Sequence, residues 1–497
     1  MNNQFFCARE NGKLHRPRTI LTGFGFMASS IAWAIYDPYI TKILEKLLNA
    51  STMVTQWSAK LNEMFPVLAQ FAESQGENVH TEAGGITLVP LFIGIIMTFD
   101  NIFGVIFQPT FGKISDRTHS KLGKRRPFIV FGAPASAFLF AVIPWIALSG
   151  SLPLTMLFII LFVFSMSLWR APVVALMPAL TPPSLRSEGN AIINLMGGIG
   201  SAIGMVAGTI VGAVYTAITG TEITTANEQV AFPYVFLTGA VVMIIGMLVI
   251  LFFVKEPSSK LEAVSEYNQA VDAAAKEKAE KEAKKDAKAA QKAQKLSKGE
   301  RTSLVFMLAG LFFLFCGTNA ITTFFALFAA EVLGKTTSEA TIMTTLFAVC
   351  SAVAAIPAGF MGKKLGRKKT ILIGLAVFMA VFLLYVATQS MALIWVALVL
   401  GGFANMLITV NTLPLVLEIG GIDKVGTFTG YYYTATFSAQ IASPIIYGVV
   451  RMLSGTYMSL FIYSPVMFIL SMLCIFVVKH GEAVPDEIVK AAAEEND

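Results

Sequence analysis

The chain has 497 residues, 55% of them hydrophobic and only 14% charged, with a mean hydropathy of +0.68, whereas a soluble protein carries about 25% charged residues. Lys and Arg number 37 against 31 Asp and Glu, a net charge of +6, and with no soluble basic face to carry it this excess argues against a nucleic-acid partner. Cys7, Cys316, Cys350 and Cys474 provide neither a disulfide framework nor a metal-ligand spacing, and the polar, basic start "MNNQFFCARENGKLHRPR" lacks the apolar core of a signal peptide.

A spanning helix needs roughly 20 apolar residues, and such stretches recur along the chain. The first half predicts spans near 19–44, 86–111, 127–148, 152–180, 189–218 and 231–254. The second predicts 303–330, 338–361, 370–388, 391–417, 427–450 and 456–478. Long runs of Leu, Ile, Phe and Met exclude the period-two pattern of barrel strands. The expected fold is an all-α polytopic membrane protein with twelve transmembrane helices in two six-helix bundles.

Between the first two spans, an outer insertion at about 49–84 places Trp57, Leu61, Met64, Leu68 and Phe71 at helical spacing. It reads as an external helix resting on the fold or as a lid over an entrance. The sequon "NAS" (49–51) precedes it. Between the halves, "KEPSSKLEAVSEYNQAVDAAAKEKAEKEAKKDAKAAQKAQKLSKGER" (255–301) is rich in Ala, Lys and Glu and reads as a solvated, semi-rigid spacer or as a regulatory or lipid-contacting helix. The expected organisation is a segment 1–18, a bundle 19–254, a linker 255–302, a bundle 303–479 and a tail 480–497. Basic residues precede the first span and follow the second and eighth, which predicts both termini in the cytoplasm. The expected location is the plasma (inner) membrane.

The loop after the second span, "GKISDRTHSKLGKRRPFI" (112–129), holds six Lys or Arg between two apolar runs. It recurs after the eighth span: Gly112 matches Gly359, and "KLGKRR" (121–126) matches "KLGRKK" (364–369). The fourth and tenth spans also end alike, in "ALMPALTPPSLRSEGNA" and "NTLPLVLEIGGIDKVGT". Two related six-helix halves are a transporter arrangement whose binding site is expected near the membrane midplane. "GGIGSAIGMVAGTIVGA" (197–213) repeats small residues at three- and four-residue spacings, which permits close helix approach.

On these residues the chain resembles the major facilitator superfamily. Asp116 and Gly123 are seven positions apart, with "RTHSKL" between them. "SDRTHSKLGKRRPFI" in this long form resembles the glycoside–pentoside–hexuronide cation symporters, especially their sucrose-transporter-like branch. "FGVIFQPTFGKISDR", "APVVALMPALTPPSLRSEGNA" and "DPYI" resemble the same group. The resemblance implies a latch at the helix ends made of Gly112, Asp116, Arg117, Gly123, Arg125, Arg126, Gly366 and Arg367. There are departures. Gly104 and Gln108 stand where melibiose-type sodium symporters carry aspartates, Ser30 near their sugar-binding aspartate, and Val174 at about the position of a plant-type arginine. Lys363 replaces the second latch aspartate.

Charges inside spans are expensive and usually functional. Asp100 falls about 14 residues into its predicted helix, roughly 21 Å along it. It shares a face with Gly104 and Gln108, and Asn101 shares one with Gln108. This stripe reads as facing a wet cavity, or as a structural carboxyl between helices. Asp37 reads as a cavity group sharing a face with Ser30 and Trp33, or as a helix-ending Asp-Pro at the interface. Arg170 reads as their partner, or as an arginine snorkelling to the surface. If all three meet, two carboxylates share one guanidinium, and one carboxylate can take up and release a proton. Asp100, Asp37 and Arg170 are therefore the expected cation-coupling residues. Hydrogen-bonding groups and aromatic platforms suited to a sugar are Trp33, Tyr36, Asn101, Gln108, Arg170, Asn194, Asn319, Tyr431, Tyr432 and Gln440.

No catalytic motif is present, so an enzyme is not expected. Nor is a cofactor, the coupling ion being a proton. The expected function is proton-coupled symport of a disaccharide or other glycoside, sucrose- or maltose-like, by alternating access. The open alternatives are sodium coupling, drug or metabolite export, and a non-transporting sensor on the same fold. The expected partners are a small sugar and the lipid bilayer, with the monomer as the working unit.

Overall fold

The computed structural model describes residues 6–9, 13–76, 85–120, 122–182, 185–256, 297–420 and 425–481. The predicted linker lies almost wholly outside the described residues, as do 482–497 of the tail. The described residues form fifteen α-helices and two short 3-10 turns, with one isolated bridge, Ala8 to Leu14, and no strand. Among the described residues, eleven spans are long and apolar enough to cross a membrane. A twelfth predicted span, 427–450, falls in a 30-residue helix, Val425–Ser454, that does not meet the apolar criterion. Its Tyr431 to Tyr433, Thr434, Thr436, Ser438 and Gln440 dilute the apolar run.

Contacts divide the chain into two compact units. The first contains residues 1–53, 99–295 and 335–341. Its helices are α1 (Arg16–Asn49), α5 (Phe99–Arg117), α6 (Arg126–Leu148), α7 (Leu152–Leu180), α8 (Arg186–Thr219) and α9 (Phe232–Phe253). Helix α1 packs on α8 and α9, α6 on α7 and α9, and α5 on α7. The α1–α8 contact rests on the glycine run. A Cβ on Gly200 would come within 2.5 Å of the Met27 carbonyl, and one on Gly204 within 2.8 Å of that of Ile31. Such backbone-to-backbone approach is what small residues permit between membrane helices. Phe140 anchors the core, 4.4 Å from Phe236 and 5.0 Å from Phe162 between ring centres. At the basic end of α1 the buried Cys7 donates its backbone N–H to Leu180 and accepts that of His15.

The second unit contains residues 54–98, 296–334 and 342–497. It includes α2 (Thr52–Met64), α3 (Pro66–Gly76), α4 (Val89–Ile96), α10 (Lys298–Leu333), most of α11 (Thr337–Leu365), α12 (Arg367–Thr388), α13 (Met391–Gly420), α14 (Val425–Ser454) and α15 (Leu460–Val477). Helix α10 packs on α14 and α15, α12 on α13 and α15, and α4 on α14.

Two expectations need correction. The second span is not one uninterrupted helix: α4 ends at Ile96 and α5 begins at Phe99, with a turn at Met97 and Thr98. The Thr98 hydroxyl donates to the Ile95 carbonyl at 2.6 Å, a local side-chain bond that competes with the helical ladder. Asp100 therefore lies in the first turn of a new helix rather than deep inside one. The outer helical stripe is likewise divided, because Pro66 starts a second helix. Within it Leu61 is half-buried, whereas Trp57, Met64, Leu68 and Phe71 are exposed.

Candidate functional site

The break in the second span sets the geometry around Asp100. The first N–H groups of a helix have no intrahelical acceptor, and the dipole there favours negative charge. Asp100 Oδ1 accepts the Asn101 backbone N–H at 2.7 Å and the Asn101 amide at 3.1 Å. Gly104 and Gln108 follow on the same face, the Gln108 amide lying 3.1 Å from where a Gly104 Cβ would stand.

Asp37 is half-buried on α1 and followed by Pro38 inside the helix. The helix continues to Asn49, so Asp-Pro does not end it. Pro38 has no N–H to offer the Ala34 carbonyl, which leaves a local polar weakness one turn from Asp37. Arg170 on α7 is half-buried, and its guanidinium stacks over Trp33 at 5.5 Å, within the range of cation–π attraction. Asp37, Asp100 and Arg170 lie within electrostatic reach of one another, without a direct bond between the guanidinium and either carboxylate. Trp33 packs edge-on to Tyr36 at 5.2 Å, and Tyr36 packs on Phe162 at 5.3 Å. The Trp33 indole N–H is buried and has no acceptor, although buried donors normally find one. The first unit thus brings Trp33, Tyr36, Asp37, Asp100, Asn101 and Arg170 together. Asn194 is exposed on α8 and bonds back to the Asn190 carbonyl.

In the second unit Asn319 is half-buried on α10 with its amide nitrogen unpartnered. Gln440 is half-buried and Tyr431 exposed on α14, while Tyr432 reaches Thr412 at 3.5 Å.

The basic loop forms a second polar assembly. Asp116 meets Arg125 at 2.6 Å, and Arg125 reaches Glu256, after α9, at 3.7 Å. Glu256 also accepts the backbone N–H groups of Arg125 at 3.0 Å and Arg126 at 3.3 Å. Arg125, the N-cap of α6, supplies no side-chain cap of its own, so the Glu256 carboxylate takes that role. Gly123 has φ +104°, and a Cβ there would overlap the Glu256 carboxylate. Glycine is required twice, for its conformation and for the close approach. Arg126 donates to the Leu251 carbonyl, while Arg117 is exposed. Gly112 and Gly359 have open space around them. At the matching loop, Gly366 has φ +91° and Arg367 reaches Glu418 at 3.0 Å and the Pro414 carbonyl at 3.2 Å.

Sequence reasoning missed Glu256. A lone acid directly after the sixth span, facing a basic loop, was the available signal. It also missed the pairing of Glu331 with Arg451 at 2.6 Å, each about 5% exposed. Glu331 accepts further bonds from the Thr456 hydroxyl and the Tyr457 N–H.

The sequence profile of the MFS/sugar transport protein family matches residues 85–419. No curated protein matches the chain significantly. Among solved structures it is similar to a D-xylose–proton symporter, at 16% identity and a TM-score of 0.58, covering 93% of this chain and 96% of that one. The inward-open xylose transporter XylE from E. coli gives 15%, 0.57, 94% and 96% in the same order. The nucleoside transporter NupG, as a point mutant, gives 13%, 0.56, 93% and 98%. At these identities the structures speak for the fold alone. The profile match covers most of the chain and agrees with its apolar helices, so this integral membrane protein belongs to the MFS/sugar transport protein family, a family of transporters rather than enzymes.

Proposed function

We propose that the protein is a proton-coupled symporter of a sugar, of the disaccharide or glycoside class, working by alternating access. The observation that supports this reading is that Asp37 and Asp100 both lie within electrostatic reach of one guanidinium, Arg170, which itself stacks on Trp33. Two carboxylates against one cation leave one negative charge uncompensated in an apolar span, where such a charge is costly. A proton removes that cost, and release of the proton restores it. Asp100 is the favoured carrier: it sits at a helix break, and broken helices in transporters commonly host ion and substrate groups. Gly104 and Gln108 replace the additional carboxylates that a multi-oxygen sodium site would use. The Trp33 ring and its unpartnered N–H suit a polyhydroxyl ligand, which offers both a face to stack and oxygens to accept a hydrogen bond.

The test is uptake into proteoliposomes across a panel of labelled sugars, with pH or sodium gradients imposed separately. Accumulation should follow the pH gradient. In Asp100→Asn, gradient-driven accumulation should be abolished while sugar binding persists. Accumulation driven by sodium alone would sink the proton assignment, and unchanged accumulation in Asp100→Asn would remove Asp100 from the coupling.

A further inference from the structure

The outer insertion has three distinct flanks. On α2, Val54, Ser58 and Leu61 recur at helical spacing and pack inward. This flank is bonded to the residues just before α4. Ser58 Oγ accepts the Leu88 N–H at 3.1 Å, and Asn62 bonds Ile86 through both its amide groups, at 2.7 and 3.2 Å. Gln56 and Glu63, seven residues apart, lie on a polar flank that is exposed. Trp57, Lys60 and Met64 form a third flank, also exposed, but apolar apart from one long cation. Helix α3 repeats the plan. Ala72 packs against Gly455, Gln70 and Glu73 face out on one side, and Val67, Leu68 and Phe71 face out on the other.

A helix resting on a soluble surface needs two flanks, one packed and one wet. The third flank here is strongly exposed: Val67 is 77%, Met64 69% and Phe71 52% accessible. Grouped exposure of that kind marks a surface meant for an apolar neighbour.

We infer that the apolar flanks of α2 and α3 lie in the lipid of the membrane face opposite the basic loops, so that the insertion is an interfacial helix kinked at Pro66. Only two residues, Ala50 and Ser51, separate α1 from α2, and the packed flank of α2 is bonded immediately before α4. The kinked helix is therefore held close in the chain to the ends of two spans, at the level where they leave the bilayer. No carboxylate lies on them. Lys60 can bury its stem and keep its ammonium among the headgroups. Trp57, tilted on Phe92 at 6.1 Å, has the amphipathic ring that favours the membrane interface. Amphipathic helices of this kind bury their apolar face at the headgroup–acyl boundary.

The test uses the full chain in phosphatidylcholine nanodiscs, in a background with the native cysteines replaced. A spin label is attached in turn to Met64→Cys, Val67→Cys and Phe71→Cys, to Gln56→Cys and Glu73→Cys on the polar flanks, and to Phe252→Cys as a span standard. Accessibility to oxygen is compared with accessibility to a nickel chelate. The oxygen-to-nickel ratio at the three apolar sites should approach that at residue 252 and exceed that at the polar sites several-fold. Ratios equal to those of the polar sites would mean a water-facing flank and overturn the inference. Exclusion of both reagents would overturn it in favour of a protein cover, such as a second copy. Leu68→Cys replaces any apolar site whose label prevents a monodisperse preparation.

Discussion

Each unit contains buried charge, and the two units treat it in opposite ways. In the second, Glu331 and Arg451 meet at 2.6 Å, the guanidinium stacks over Tyr457 at 4.3 Å, and the carboxylate accepts two further hydrogen bonds. In the first, Asp37, Asp100 and Arg170 influence one another without direct bonds, and the guanidinium faces an indole instead of a carboxylate. A closed ion pair fastens α10 to α14 and has little left to offer a ligand. An open trio with an odd charge has unused capacity for a proton or a polar substrate. Direct pairing separates a structural clamp from a candidate transport site more clearly than burial does.

The largest expected effect lies in the clamp. Glu331→Gln leaves the buried Arg451 charge uncompensated and should cost about 3–5 kcal/mol, seen as a lowered melting temperature of the purified protein. Asp100→Asn should lose far less, and equal losses would collapse the contrast between the two charge groups. Next comes Glu256→Gln, which removes a charged cap from α6 and a partner from Arg125. A loss of about 1.5–3 kcal/mol is expected, measurable in the same melt. Asp116→Asn should change stability by no more than about 1 kcal/mol, because its side chain is 59% exposed. As a latch residue it should instead slow turnover more than it weakens sugar binding, and the reverse result would reduce it to a topology signal. The smallest effect concerns Cys7. Burial pushes its thiol above the ordinary value. Its contribution to stability should be complete below that ordinary value and lost as pH rises through the raised one. Maleimide labelling of Cys7 should remain slow in the folded protein through mildly alkaline pH, and rapid labelling at neutral pH would show that Cys7 does not stay packed against the end of α7.

The repeated loop shows how much a sequence pattern conveys. "KLGKRR" and "KLGRKK" both place a glycine at positive φ just before a helix, at Gly123 and Gly366. That much was legible, since the repeat preserves the turn. Their partners were not. In the first loop a carboxylate after α9 accepts backbone N–H groups. In the second, Lys368 donates to the Phe476 carbonyl at the end of α15. Both loops donate a basic side chain to a carbonyl near the end of the last helix of their half, Arg126 to Leu251 and Lys368 to Phe476, so what differs is the Glu256 carboxylate that follows α9, and no local pattern encodes that acceptor.

The sequence by itself determined the membrane class and the rough limits of the spans, and it singled out Asp37, Asp100 and Arg170, because apolar length and misplaced charge are local properties. Tertiary structure decided which residues meet across helices. Trp33 takes the face of Arg170, Glu256 caps α6, and Glu331 pairs with Arg451 through contacts far apart in the chain. It also decided the break before Asp100. A run of apolar residues carries no mark of where its hydrogen-bond ladder stops, and the Thr98 and Asp100 side-chain bonds that accompany the break depend on the folded backbone.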